Sequence, residues 1–256
     1  MISATASLIV SAGFSRILFV IALDVSRSML AADVVPSRLS RARDEIARVL
    51  DGGLNARVGL VLFAGQALVQ CPLTNDLGAL ALFLSEASTD MITSQGTALR
   101  SALEVSLDLL AAAERDERTR RSIVLISDGE DFEGGWEETV GRCADEDVAV
   151  TVIAVGLEER ALMKLPTGDD YVMDEARPAM TRVDLGTLEE VARRTGGGFF
   201  RLARRPLDAE AFRRAVIHEE AGRTGSSTVV VPEERRRVNH GDRLGVIRLR
   251  DAWCTA

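Results

Sequence analysis

Histidine and lysine are nearly missing from this sequence, with two histidines (His218 and His240) and a single lysine (Lys164) in 256 residues. Neither histidine has a partner suited to proton transfer or metal binding, so both are assigned to structure or surface. Cysteine is scarce as well. Cys71, Cys143 and Cys254 are widely spaced and form no C-x-x-C, which argues against a disulfide framework or a zinc site. Cys71 and Cys143 read as small buried hydrophobes. Excess positive charge is also absent: the net charge is −8, so nucleic acid is not an expected partner. No G-x-G-x-x-G follows the first strand, which removes a dinucleotide site of the dehydrogenase type. No run reads as a membrane span. The mostly apolar stretch from Met1 to Leu23 is interrupted by Arg16 and diluted by five serines and threonines before it. No basic residue precedes it, as a signal peptide requires.

What is present is a strand–helix alternation in a chain of ordinary globular composition, 46% hydrophobic and 27% charged. Ile17 to Leu23 is an unbroken apolar run, the mark of a strand buried on both faces. Pro36 and Ser37 start a helix running to about Leu50. Leu39, Ala42, Ile46, Val49 and Leu50 form its inner face, and arginines and acids cover the other. Val58–Ala64 and Ala67–Leu73 read as two strands. Their short link predicts an antiparallel hairpin at the edge of a mostly parallel sheet. A helix from Asn75-Asp76 through Ser85, a polar loop from Thr93 to Thr97, and a long helix from Ala98 to about Ala113 follow. Arg121–Ser127 is a fourth strand, Trp136–Glu146 a helix, and Val148–Val155 a fifth strand closed by Gly156.

Periodicity fails from Glu158 to Arg182, which reads as an inserted loop or hairpin over one end of the sheet. Thr187 and Glu190 have capping-box spacing for a helix ending at Thr195–Gly198. Phe199–Leu202 is a sixth strand, and Pro206-Leu207-Asp208 starts a last helix to about Glu220. The pattern predicts a doubly wound α/β domain over residues 17–220, with helices on both faces of a mostly parallel sheet. Residues 1–16 form a lead-in, and 221–256 read as a poorly ordered tail rich in Arg, Gly and Ser.

The first strand runs straight into Asp24-Val25-Ser26-Arg27-Ser28. In open α/β sheets ligands bind at the carboxyl ends of strands, which is where these residues fall. One carboxylate and two hydroxyls are hard oxygen donors suited to Mg²⁺ or Mn²⁺. Taken alone, the five residues read equally as a loop whose serines cap the next helix while Asp24 bonds local amides. Thr97 is either a helix N-cap or a further hydroxyl donor. Asp128 follows the fourth strand in Ser127-Asp128-Gly129, either as an acidic turn or as a second carboxylate. Right-handed crossovers bring all these strand ends to one rim, so oxygen donors from three distant segments converge there.

These segments resemble the von Willebrand factor A domain. Its metal-ion-dependent adhesion site joins D-x-S-x-S after the first strand, a threonine in a later loop and an aspartate in a D-G turn. Asp24, Ser26, Ser28, Thr97 and Asp128 match all five positions. Leu23–Arg43, Val58–Asp76, Leu125–Asp131 and Leu188–Phe200 look more closely like the bacterial aerotolerance (Bat-type) branch. The resemblance implies that the Ser26, Ser28 and Thr97 hydroxyls coordinate a metal, with Asp24 and Asp128 acting directly or through water. It implies a cation left short of negative ligands, which a partner's Glu or Asp completes. It also implies a MoxR-type AAA+ ATPase and other A-domain proteins as partners, in envelope stress tolerance or protein maturation. Glu130, Asp131 and Glu133 read as a solvated acidic face. Bat-type proteins usually carry flanking transmembrane helices. This sequence shows no convincing one, so a soluble or peripherally membrane-associated location is the expectation.

The function expected is therefore a non-enzymatic, metal-dependent protein-binding module. The alternatives are a phosphatase of the haloacid dehalogenase type and a structural domain with a vestigial site. The phosphatase chemistry needs a second acid two residues after Asp24, where Ser26 stands, and a lysine, of which only Lys164 is available.

Overall fold

The computed structural model describes residues 17–217, except 52–54, 95, 115–118, 131–132, 166–169 and 176. His218, His240, Cys254, the lead-in and the tail all lie outside the described residues. The chain order is β1 (Ile17–Asp24), α1 (Arg38–Asp51), β2 (Ala56–Phe63), β3 (Ala67–Thr74), α2 (Leu77–Glu86) and α3 (Leu99–Ala111). There follow β4 (Arg120–Ser127), α4 (Trp136–Asp145) and β5 (Ala149–Val155). Four short strands come next: β6 (Ala161–Leu162), β7 (Met173–Asp174), β8 (Arg177–Pro178) and β9 (Met180–Thr181). The last elements are α5 (Leu185–Thr195), β10 (Phe199–Leu202) and α6 (Ala209–Ile217).

The main sheet has six strands in the order β10-β5-β4-β1-β2-β3. All neighbours are parallel except β2 and β3, so β3 is the antiparallel edge strand that the short Gly65 link predicts. The continuous apolar runs follow from burial on both faces. In β1, Phe19, Ile21 and Leu23 pack with α1, α2 and α6, while Leu18, Val20 and Ala22 pack with α3, α4 and α5. Period-two side chains and helices on both faces thus give two cores, one on each side of the sheet. Cys71 and Cys143 are free thiols buried in these cores. No helix among the described residues is long and apolar enough to cross a membrane.

Three local expectations are corrected. Helix α1 does not turn all its charges outward. Arg38 is fully buried, and Glu45 is buried between Arg41 and Arg48 while accepting from the Leu207 amide. Helix α5 starts three residues earlier than the Thr187–Glu190 spacing suggests. Asp184 is its cap, accepting from the Gly186 and Thr187 amides, and Glu190 pairs instead with Arg193. Thr97 is not the cap of α3: that position is Ala98, and no side chain bonds there.

The irregular 158–182 stretch folds into two antiparallel pairs, β6 with β9 and β7 with β8. An isolated bridge joins Met163 to Ala31 in the loop after β1, so the insert lies at the rim where the parallel strands end.

Candidate metal centre

Asp24 closes β1 with its side chain wholly buried. Its Oδ1 accepts from the Ser26 amide at 2.8 Å, and its Oδ2 accepts from the Ser127 hydroxyl at 2.6 Å. The chain then makes one 3₁₀ turn, Arg27–Leu30, which buries Ser28, Met29 and Leu30. Ser26 stands at the start of that turn in extended backbone and makes no side-chain cap bond. Its hydroxyl lies 2.9 Å from that of Ser28. The serines therefore face each other and are not spent on capping.

The end of β2 gathers two of the loops. The Val25 amide donates to the Phe63 carbonyl, the Ala98 amide to the Ala64 carbonyl, and the Gly65 amide to the Ser94 carbonyl. Both the Asp24–Ser28 loop and the loop carrying Thr97 are thus hung from one strand terminus. Thr97 is 1% exposed there. Asp128 arrives from β4, the neighbour of β1 on the other side. Gly129 makes the turn possible: its φ is +79°, and a Cβ there would lie 2.6 Å from the Asp184 carbonyl oxygen. All five residues matched by sequence are buried at the same rim.

Two side chains that sequence reading missed complete the surroundings. The Arg38 Nη1 donates to Asp128 Oδ2 at 2.7 Å and to Thr181 Oγ1 at 3.1 Å. Its Nε and Nη2 donate to the two oxygens of Asp33 at 3.0 and 2.9 Å. Asp33 and Arg38 lie within the Leu23–Arg43 segment that carries the resemblance, so a signal was present. Glu130 is a further correction. It faces inward, accepting from the Thr181 hydroxyl at 2.6 Å and the Arg182 amide at 3.2 Å. Asp131 lies outside the described residues.

Burial dominates the electrostatics. Desolvation, with the charge of Asp128 added, pushes the Asp24 carboxyl up from 3.8 to about 7, against the hydrogen bonds from Ser127 and Ser26. Desolvation also raises Asp128, although Arg38 and the hydroxyl of Ser28 pull the other way. Burial is the largest influence on Arg38 and works against its charge, and the hydrogen bonds and charges of Asp33 and Asp128 together more than restore it. Two carboxylates thus share a dry rim with one guanidinium, which Asp33 also engages. A cation beside Asp24 would lift that penalty. Three hydroxyls and two carboxylates form a hard oxygen set, which fits Mg²⁺ or Mn²⁺. Among the described residues no group of three or more His, Cys, Asp or Glu side chains is placed to hold a metal ion, so such a set relies on the hydroxyls beside the two carboxylates.

Comparisons with known proteins bear on the family and the fold. A family model described as von Willebrand factor type A domain matches residues 19–130. The conserved hypothetical protein BatB from Bacteroides thetaiotaomicron superposes with a TM-score of 0.74 at 33% identity, over 80% of this chain and 100% of that one. An aerotolerance-related membrane protein from Bacteroides fragilis, carrying multiple mutations to serines, gives 0.72 at 32%, over 78% and 98%. A UPF0353 protein of Nocardia farcinica is 32% identical over 202 residues, 73% of this chain and 58% of its own length. The chain spans little more than half the length of the curated relatives it matches.

Proposed function

The chain belongs to the von Willebrand factor type A family, in the branch of BatB and the aerotolerance-related proteins, and from that premise we propose that it is a non-enzymatic module binding protein partners through a divalent metal. The observation that carries this reading is the gathering of Asp24, Ser26, Ser28, Thr97 and Asp128, all buried, at one rim. A bound Mg²⁺ or Mn²⁺ would supply a Lewis-acidic docking point for a carboxylate. The Ser26, Ser28 and Thr97 hydroxyls hold it as neutral donors. Asp24 and Asp128 offset part of its charge, and Arg38 takes up part of the negative charge of Asp128. The remaining positive charge suits a Glu or Asp of the partner.

The insert supports a protein-binding role. Leu162 pairs with Met180, Met173 pairs with Pro178, and Pro178 and Met180 are two residues apart. Within each pair the two opposed side chains share a face. These apolar residues are solvent-exposed, at 38% for Leu162, 55% for Met173 and 49% for Met180. Thr181, the next residue, contacts Arg38 at the site. An apolar face beside a cation site suits a partner that offers an acid flanked by apolar residues. The resemblance names the partner class as a MoxR-type AAA+ ATPase together with other A-domain proteins, in envelope stress tolerance or protein maturation.

The phosphatase reading is disfavoured by Asp24 itself. A nucleophilic carboxylate needs access, and this one is 0% exposed with both oxygens already bonded. The test is binding of the MoxR-type ATPase from the same source in Mg²⁺ and in EDTA, with Ser26→Ala/Ser28→Ala alongside. Binding lost in EDTA and in the double variant supports the module. Binding that ignores both, or phosphate release lost in Asp24→Asn, overturns it.

A further inference from the structure

The two stems of the 158–182 insert are tied to the same buried cluster. At its start, the Leu157 amide donates to Asp33 Oδ2 at 2.7 Å. At its end, the Thr181 hydroxyl and the Arg182 amide both bond Glu130. The Val183 amide closes the neck on the Leu157 carbonyl. Arg38 joins these attachments: its guanidinium reaches Asp33, Thr181 and Asp128 at once. The contacts are shielded from bulk solvent, since Arg38 and Asp128 are 0% exposed and Asp33 only 7%.

The fold keeps room for this guanidinium. Gly156, with φ +119°, ends β5 beside it, and a Cβ there would collide with Arg38 Nε. The backbone of Arg38 is fixed too, its amide donating to the Ala31 carbonyl, and Ala31 is the residue bridged to Met163 of the insert.

We propose that Arg38 is a positioning residue that couples the state of Asp128 to the pose of the 158–182 insert. Resting on the metal-module reading, this makes the insert respond to occupancy of the site. A cation that draws on Asp128 weakens its pair with Arg38. Arg38 then shifts toward Asp33, and its hold on Thr181 changes. The exposed apolar residues of the insert, Leu162, Met173, Pro178 and Met180, are thereby presented differently when the site is loaded.

Hydrogen–deuterium exchange of the whole chain tests this, read on peptides covering 157–165 and 177–184. Metal-free wild type is compared with Asp128→Asn and with Glu210→Gln, an exposed acid on α6 away from the site, and wild type is then measured with Mg²⁺. Binding is followed separately by the electron paramagnetic resonance of Mn²⁺. Asp128→Asn is expected to speed exchange of both stems at least tenfold, with Glu210→Gln leaving them as in wild type. Mg²⁺ is expected to change exchange of the same peptides in wild type, and Thr181→Val to abolish that response while Mn²⁺ still binds. Stem exchange unchanged in Asp128→Asn, or changed equally in Glu210→Gln, overturns the coupling whether or not metal binds. Mn²⁺ binding with no stem response in wild type, or a full response in Thr181→Val, also overturns it. Absence of Mn²⁺ binding with an intact Asp128→Asn effect overturns the metal-module reading and upholds the structural relay.

Discussion

Arg38 carries a heavy electrostatic burden, because removing it strands two acids at once. Asp128 is fully buried and Asp33 nearly so. Breaking one side of a buried pair costs about 3–5 kcal/mol, and Arg38→Met is expected to lose at least that in urea denaturation. Arg38→Lys should recover little of it, since an ammonium cannot reproduce the fork that spans Asp33 and Asp128. Asp24 predicts a pH dependence. Its folded-state value of about 7 lies above the ordinary 3.8, so between the two the folded protein holds more protons than the unfolded chain. Its stability contribution is fully present below pH 3.8 and is lost as pH rises through 7. Melting in EDTA from pH 5 to 8 should therefore show falling stability, and Asp24→Asn should flatten the curve. The five oxygen donors were legible in sequence because each lies in a short local pattern. Arg38 was not. It is 90 residues from Asp128 and 143 from Thr181, and in an arginine-rich helix it looks like one more solvated charge.

Elements followed the sequence where periodicity decided them. The buried parallel strands needed only their apolar runs, and β3 was placed as an antiparallel edge by the two-residue reach of its link. Helix starts were less legible, since several residues of one segment can serve as cap. For α5 the competition was won by Asp184, whose amide is held by the Asp128 carbonyl. Asp184→Ala is expected to cost about 1 kcal/mol of stability, and Thr187→Ala only a few tenths, measured by thermal denaturation. The reverse order would restore the capping-box reading. The insert resisted reading because its pairs are two residues long, too short for a period to show. Its attachments are side-chain bonds to Asp33 and Glu130, which hydropathy does not encode.

For the whole molecule, the fold supplies the rim and three loops supply the donors. Strand order places β1 between β2 and β4, so the loops after all three abut. Ligand binding to the folded state alone must then raise stability, by about 2.7 kcal/mol at a hundred times the dissociation constant. Mn²⁺ should substitute for Mg²⁺, since the donors are all oxygen. The most direct measurement is thermal unfolding of the purified chain in EDTA and in excess Mg²⁺, at pH 8 where Asp24 is ionised, with Ser26→Ala/Ser28→Ala in parallel. The account predicts an upward shift of several degrees in wild type and none in the double variant. Equal melting with and without metal in wild type, or an equal shift in both proteins, would contradict it.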